Sequence, residues 1–194
     1  MTLSTSPVSA QQTAIQPARW TIDPAHSSVG FSVRHMMITN VRGEFSSFSG
    51  EVSYDPKKPE AASISASIDV ASLSTREPKR DEHLRSADFF NAEAYPTLTF
   101  RSKRVARAGD DRLQVVGDLT IAGTTREVTL DVRDVTSPHT DPWGQRRIGA
   151  AARTKVRRSE FGMQWNSALE AGGVLVGDEV TIDIEVSLVA ATAS

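Results

Sequence analysis

The sequence contains no cysteine among its 194 residues. This absence excludes disulfide bonds, thiolate nucleophiles and thiolate metal sites together. No stretch approaches the roughly 20 consecutive apolar residues that a membrane-spanning helix needs. There is also no basic excess, since the formal net charge is -2 at pH 7, whereas proteins that bind DNA or RNA usually carry a basic surface. We therefore expect neither a transmembrane segment nor a nucleic-acid partner.

The beginning of the chain lacks the features of a secretory signal. The stretch from Met1 to Pro17 is rich in Ser, Thr, Gln and Ala, and it has neither the basic start nor the continuous apolar core that such a signal needs. We expect residues 1–18 to be a disordered arm, residues 19–190 to form one domain, and the protein to be cytoplasmic.

Alternation of apolar and polar residues with a period of two dominates the rest of the chain. From Val180 to Leu188 every second residue is Val, Ile or Leu and the residues between them are polar, which is typical of a strand with one buried face. The pattern predicts strands over residues 20–23, 27–35, 41–55, 62–71, 97–107, 112–122, 125–135, 147–158 and 178–190. The first of these is short enough to lead directly into the second.

Two further signals concern connections and helices. The alternation changes phase at Ser46 and Ser47, which predicts a bulge, and residues 122–124 predict a tight turn. Residues 75–86 are helical in pattern, with Thr75 as a possible N-cap. Asp81 and Arg85, four residues apart, can pair on the helix surface.

The strands have aliphatic inner faces, and no second amphipathic helix is available to cover an open sheet. Such a sheet packs on another sheet or closes on itself, and long strands favour closure. We therefore predict an all-β, antiparallel barrel of about eight strands with one or two short helices. A barrel of this size is filled by side chains or holds one small ligand. The inward residues are mostly small and aromatics make up only 6% of the chain, which favours a void. The alternative is a core that side chains fill completely, and the pattern does not decide between the two.

A series of short motifs gives the chain a family resemblance. In order, they are Trp20–Asp23, His26–Ser27, Val29–Met36, Val41–Phe45, Phe48–Gly50, Arg80–Phe90, Tyr95–Pro96, Phe100–Ser102, Gly117–Thr125 and Arg158–Gly162. The ordered set resembles the YceI-like family, whereas residues 137–147 match it less tightly. The resemblance implies a lipocalin-like barrel that binds amphiphiles with long apolar chains, polyisoprenoids in particular, inside its lumen. The resemblance also implies a homodimer. Because no export signal is seen, the chain resembles the cytosolic members of the family.

Inward strand positions and the helical segment supply the candidate ligand-binding residues. These are Phe31, Val33, His35, Phe45, Ile64, Ile68, Arg80, Asp81, His83, Phe89, Phe100 and Ile121. His35 shares the phase of Phe31 and Val33, so it either anchors a polar head group or is a buried structural histidine. The three charged or titratable helix residues either belong to a plug over the barrel mouth or stabilise a capped helix.

No catalytic residue and no metal ligand is assigned. Asp23, His26 and Ser27 are the residue types of a hydrolytic triad, but residues this close in sequence point in different directions and no G-x-S-x-G motif is present. We expect Asp23 and His26 to hydrogen-bond a turn instead. The zinc motifs H-x-H and H-E-x-x-H are also absent. Residues 153–157 carry an outward basic ridge, which either meets anionic lipid or, as we favour, is a solvated sheet face.

The leading hypothesis is a non-catalytic carrier of a polyisoprenoid or isoprenoid quinone, with that lipid bound and no cofactor required. One alternative is a lipid-modifying enzyme that uses His35 and Asp81 on the same barrel. The other is a stress or structural protein with a filled core and no ligand.

Overall fold

The computed structural model describes residues 18–169 and 173–191. The expected N-terminal arm lies outside the described residues, apart from Ala18, which begins the first strand. The strands of the described chain are β1 Ala18–Ile22, β2 Ser28–His35, β3 Thr39–Phe45, β4 Phe48–Tyr54, β5 Ser63–Asp69, β6 Leu73–Ser74, β7 Thr97–Arg107, β8 Leu113–Ile121, β9 Thr124–Arg133, β10 His139–Thr140, β11 Arg146–Arg157 and β12 Val176–Ala190. Helix α1 spans Pro78–Arg85, and 3-10 turns span Pro24–His26, Pro59–Ala61, Val70–Ser72 and Arg158–Phe161.

The sheet closes through its last strand. One edge of β12 pairs with β11, and its other edge pairs with β2 and then with β1. β1 and β2 are therefore two parts of one barrel strand, and β3 with β4 and β5 with β6 are related in the same way. With β7, β8, β9, β11 and β12 these three composite strands complete a closed antiparallel barrel of eight strand positions. The predicted fold class is confirmed.

The first three barrel strands are interrupted side by side. The Ser46 N–H donates to the Ser72 carbonyl at 3.3 Å, and the Asp69 N–H donates to the Ser47 carbonyl at 2.9 Å. The predicted bulge is therefore wrong in form, because the strand stops at Phe45 and resumes at Phe48. In an uninterrupted strand, residues three positions apart would point to opposite faces. The break allows both Phe45 and Phe48 to face the barrel interior.

The outer face of β11 and β12 carries cross-strand ion pairs. Arg153 pairs with Asp183, and the Lys155 ammonium lies 2.8 Å from the Glu179 carboxylate. Since carboxylates on the neighbouring strand balance these two basic side chains, the ridge has the character of a solvated sheet face. This outcome supports the favoured interpretation of residues 153–157.

Helix α1 begins later than predicted. Its N-cap is Glu77, whose carboxylate accepts hydrogen bonds from the backbone N–H groups of Lys79 and Arg80. The proposed Thr75 cap is wrong, because the N–H and hydroxyl of Thr75 both donate to the buried Asp81 carboxylate. The predicted surface pair of Asp81 and Arg85 is also wrong, since Arg85 donates to the Leu73 carbonyl. Within the described chain, no helix combines the length and hydropathy that a membrane crossing demands.

One end of the barrel is closed by a small core around Trp20. This side chain is fully buried and packs with Ile148 and Leu188, which are 2% and 5% exposed. The indole N–H donates to the Tyr54 carbonyl at 3.3 Å, and the Arg146 guanidinium lies 5.6 Å from the centre of the Trp20 ring. The core therefore joins β1, β11 and β12 where the sheet closes.

An ionic network lies beside this closed end. As the sequence predicted, Asp23 hydrogen-bonds the turn before β2 by accepting from the Ala25 N–H, whereas the His26 side chain contacts the Asp23 carboxylate and not the backbone. The Arg147 guanidinium lies 2.6 Å from Asp23 and 2.7 Å from Asp141. Arg147 and then His26 hold the pKa of Asp23 at about 2, below its ordinary value of 3.8. Because the pKa is depressed in the fold, this carboxylate stabilises the protein above the ordinary value and the contribution is lost as the pH falls toward about 2.

Replacing Arg147 with Leu is expected to make the free energy of unfolding less dependent on pH in the acid range. Without the guanidinium the pKa of Asp23 moves back toward its ordinary value, so less stability is lost between about pH 4 and pH 2. The measurement is the urea midpoint of wild type and variant across that range. Arg133→Leu is the control, because among the described residues the ion-pair partner of Arg133 is the exposed Asp134 at 3.7 Å, and exposed pairs contribute little. An unchanged acid slope in Arg147→Leu would contradict the assignment.

Candidate ligand-binding cavity

The barrel encloses an elongated cavity of about 270 Å³. Its lining positions on β12 extend from Val176 to Leu188, a path of roughly 40 Å along an extended strand. Barrel strands are tilted by roughly 35–45°, so the lining residues span roughly 30 Å along the barrel axis. A small volume spread over this length is a narrow channel, and its shape suits a linear chain better than a bulky ring system.

The channel is almost entirely apolar. Among the described residues that line it, the side chains with a polar atom are Ser49, Tyr54, Thr154 and Arg158. The remaining lining residues are glycine or have aliphatic, methionine or phenylalanine side chains. Removal of apolar surface from water is therefore the main favourable interaction available to a guest molecule.

Eight of the twelve candidate ligand-binding residues line this channel. They are Phe31, Val33, Phe45, Ile64, Ile68, Phe89, Phe100 and Ile121. Their inward direction follows from the alternation of the strands for seven of them, and Phe89 reaches the channel from the segment after α1. The structure thus brings them together, and contact with a ligand stays a prediction for each.

Glycines on the neighbouring strands leave room for two of the phenylalanine rings against the barrel wall. A Cβ atom on Gly43 would overlap the ring of Phe31, and one on Gly117 would lie 2.6 Å from the ring of Phe100. Each ring therefore occupies the space that a side chain on the neighbouring strand would fill. Because the rings lie against the wall over these glycines, they take less of the lumen.

His35 does not reach the channel lining. It is the last residue of β2 and pairs with Thr39 and Val176 at the rim of the barrel. The inward phase carries the side chain past the end of the channel, which stops at Val33 on this strand. The expectation that His35 lies in the lumen is corrected accordingly.

Arg80, Asp81 and His83 also lie outside the lining. The Arg80 guanidinium donates to the Thr75 hydroxyl at 2.7 Å and to the Thr75 carbonyl at 2.9 Å, while Asp81 accepts from the same residue. These contacts connect α1 to Thr75, the residue that directly follows β6. The interpretation as a helix held by local polar contacts therefore describes Arg80 and Asp81 better than a place in the lumen.

His83 supports the aromatic side chains that close the channel. Its Nε2 atom lies 2.8 Å from the Asp88 carboxylate, and its ring packs edge-on against Phe89 at 5.1 Å and Trp165 at 4.7 Å. Phe89 in turn lines the channel. His83 therefore contacts a lining residue without lining the channel itself, and Leu84 of α1 with Phe89 and Phe90 after it closes this end of the barrel.

Arg158 is the charged lining residue that sequence reasoning did not place in the channel. It is only 6% exposed, and its guanidinium donates to the carbonyls of Met163 at 2.7 Å, Trp165 at 2.8 Å and Gly177 at 2.9 Å. Burial lowers the pKa of this side chain, and the charge of Asp178 opposes the change. Arginine is rarely buried, so only its position in the motif Arg158–Gly162 could have indicated a special role.

The described residues contain no arrangement for metal binding or for the hydrolytic triad. No group of three His, Asp or Glu side chains among them is placed to hold a metal ion. Ser27 accepts from the Ser187 N–H at 2.9 Å, whereas His26 contacts Asp23. The serine and the histidine therefore have different partners within this part of the chain.

Relatives of known sequence match most of the chain. A UPF0312 protein of Vibrio cholerae is 39% identical over 153 residues, which cover 78% of this chain and 80% of that protein. The protein YceI of Escherichia coli is 38% identical over 139 residues, which cover 72% of each chain.

Solved structures share the barrel. The crystal structure of BcnA from Burkholderia cenocepacia superposes with a TM-score of 0.76 at 29% identity, covering 88% of this chain and 99% of that one. A polyisoprenoid-binding domain from Saccharophagus degradans has a TM-score of 0.64 at 16% identity, covering 91% of this chain and 100% of that one, and it shows the shared fold. The sequence model of the YceI-like domain matches residues 20–188. The chain therefore belongs to the YceI-like domain family.

Proposed function

We propose that this protein binds an amphiphile with a long isoprenoid chain, such as a polyisoprenoid or an isoprenoid quinone, and carries it without catalysing a reaction on it. The observation that carries the proposal is the narrow apolar channel inside the barrel. The Saccharophagus degradans domain of the same fold is described as polyisoprenoid-binding, which agrees with this ligand class.

The energetics of burial are sufficient for such a ligand. Each buried methylene contributes about 0.8 kcal/mol, so a five-carbon isoprene unit gives roughly 3–4 kcal/mol before costs. Association and ordering oppose binding by roughly 4–15 kcal/mol. A few buried units therefore reach the roughly 8 kcal/mol of net binding free energy that corresponds to micromolar affinity.

The ends of the channel favour one orientation of the amphiphile. Trp20, Ile148 and Leu188 close one end with an apolar core. Arg158 is the charged residue among the described lining residues. It lies at the other end, where its guanidinium is 6.0 Å from the ring centre of Phe89 in the segment after α1. The apolar tail therefore points toward Trp20, and the polar head group lies near the guanidinium.

A carrier role is favoured over catalysis by the chemistry of the lining. The described lining residues include no carboxylate and no imidazole, which are the usual general acids and bases. His35 and Asp81, on which the enzyme alternative depended, lie outside the channel. The third alternative, a filled core, is disfavoured by the channel itself.

The test is organic extraction of the purified full chain followed by mass spectrometry. We expect an isoprenoid amphiphile at near-stoichiometric amount and with unchanged mass after prolonged incubation with the protein. His35→Ala is expected to retain the same ligand content, because the side chain does not line the channel. A folded protein that yields no amphiphile, even after exposure to isoprenoid quinones, would overturn the binding proposal. Conversion of the ligand to a product of different mass would overturn the non-catalytic part.

The cytoplasmic location and the homodimer stay predictions. Fractionation of cells that express the full chain tests the first. Light scattering coupled to gel filtration tests the second, with twice the mass of 21.0 kDa as the expected result.

A further inference from the structure

We infer that the turn between β2 and β3 is a docking surface for an anionic lipid bilayer, which places the adjacent end of the barrel against the membrane. The surface consists of Met36, Met37, Ile38 and Val174, and we call it the β2–β3 tip. It adds to the proposed function a route by which an amphiphile leaves a membrane and reaches the channel.

Exposed apolar side chains are concentrated in this tip. The large hydrophobic residues that are most exposed in the described chain are Met36, Met37, Ile38, Tyr95, Trp143 and Val174. Four of these six belong to the tip, where Ile38 reaches 71% exposure. The Met36 N–H donates to the Leu175 carbonyl at 2.7 Å, so the two segments are contiguous. Single exposed hydrophobic residues are ordinary, whereas a contiguous cluster marks an interaction site.

The backbone of the turn makes this residue choice unusual. The Ile38 N–H donates to the His35 carbonyl at 3.0 Å, and Met36 and Met37 have φ values of 52° and 59°. A turn with two central residues at positive φ normally carries Asn and Gly. Large apolar side chains are therefore disfavoured here by backbone conformation and by exposure to water. An apolar environment that buries them removes the second penalty.

The tip is continuous with the channel. Along β2, Val33 lines the channel three positions before Met36. Val176 also lines the channel and follows Val174 by two positions, and it pairs with His35 beside the turn. An apolar chain that leaves a bilayer at the tip would pass His35 at the rim and then meet the apolar side chains of the channel.

The charges around the tip select an anionic surface. Residues 34–42 contain Arg34, His35 and Arg42 and no acidic residue. The Arg34 guanidinium donates to the Met37 carbonyl at 3.1 Å, which places a positive charge directly at the turn. The neighbouring residues 173–177 carry no charge. Basic residues that flank an apolar tip suit anionic head groups and the acyl layer below them, whereas a second copy of this chain would present the same positive charges.

A single fluorescent label tests the contact, because the chain has no cysteine of its own. Met37→Cys and Trp143→Cys are each labelled with an environment-sensitive fluorophore. Trp143 is the matched control, because it is 80% exposed and precedes β11 where that strand pairs with the end of β12 remote from Val176. On adding vesicles of phosphatidylcholine mixed with phosphatidylglycerol, we expect a blue shift at position 37 and none at position 143. Vesicles of phosphatidylcholine alone are expected to give a smaller shift.

Cosedimentation with the same vesicles gives a second measurement on unlabelled protein. The double variant Met37→Asn, Ile38→Ser is expected to bind about tenfold more weakly, because the apolar anchor is lost, and Asn tolerates the positive φ. Trp143→Ser is expected to bind like wild type.

No shift at position 37, or wild-type binding by the double variant, would overturn the docking surface. A shift that depends on protein concentration without vesicles would also overturn it, since it would assign the tip to self-association. The vesicles contain no isoprenoid, so a failure to bind them would not contradict the proposal that the channel binds an isoprenoid. Conversely, an empty channel in the extraction experiment would not affect the result with vesicles.

Discussion

Replacing Ala152 with Trp is expected to lower the amphiphile content of the purified protein by about tenfold or more while the barrel remains folded. Ala152 lies in the middle of β11, opposite Ile184 of β12 and Val132 of β9, and it faces the channel. An indole at this position fills the narrow lumen. Overpacking a dense core costs roughly 1–3 kcal/mol, and we expect a smaller penalty here because the ring enters open space.

The matched control places the same side chain on the outside. Thr129 is an exposed position on β9, the strand that also pairs with β11, so Thr129→Trp adds an indole without entering the lumen. Mass spectrometry after extraction, normalised to protein, compares both variants with wild type, and circular dichroism verifies the fold. Full ligand content in a folded Ala152→Trp protein would show that the amphiphile binds elsewhere.

Replacing Trp20 with Ala is expected to destabilise the protein by roughly 3–5 kcal/mol, the range for truncating a fully buried aromatic residue. The indole packs with Ile148 and Leu188 where β1 and β11 meet β12, and its N–H donates to the Tyr54 carbonyl. The variant therefore leaves a cavity and removes the hydrogen bond to the Tyr54 carbonyl at the closure of the barrel. The free energy of unfolding in urea measures this effect.

Trp143→Ala provides the reference for this experiment. That tryptophan is 80% exposed, so its loss is expected to change the unfolding free energy by no more than about 0.5 kcal/mol. Comparable values for the two variants would show that Trp20 does not hold the closed end together. We also expect Trp20→Ala to retain less amphiphile, because Ile148 and Leu188, which pack with Trp20, line the closed end of the channel.

The lining of the channel was largely predictable because strand alternation is a local property. Phe31, Ile64, Phe100 and Ile121 each follow an alternating pattern within a few residues of sequence, and the structure places all of them on the channel wall. The antiparallel closure was inferred from the lack of any element that could cover an open sheet.

The helix and the strand ends were predicted less well. The positions of their side chains depend on contacts with residues that the hydrophobic pattern of a single segment does not indicate. Asp81 was expected on the helix surface, but Thr75 draws it into a buried contact. His35 has the inward phase of β2, yet the channel ends before it. Arg158 is buried because carbonyls from three separate positions converge on it, and no periodicity encodes such convergence.

The sequence by itself determined the class of the protein, since its period-two alternation and ordered motifs specify which side chains face inward along each strand. Only the tertiary structure decided that the interior stays open, which end Trp20 closes, and where Met36, Met37 and Ile38 lie relative to the channel. The physical reason is that alternation specifies the direction of each side chain one strand at a time. The width and closure of a barrel depend on pairing between residues as distant as Trp20 and Ala190, and the open volume depends on how side chains from all eight strand positions fill the space between them.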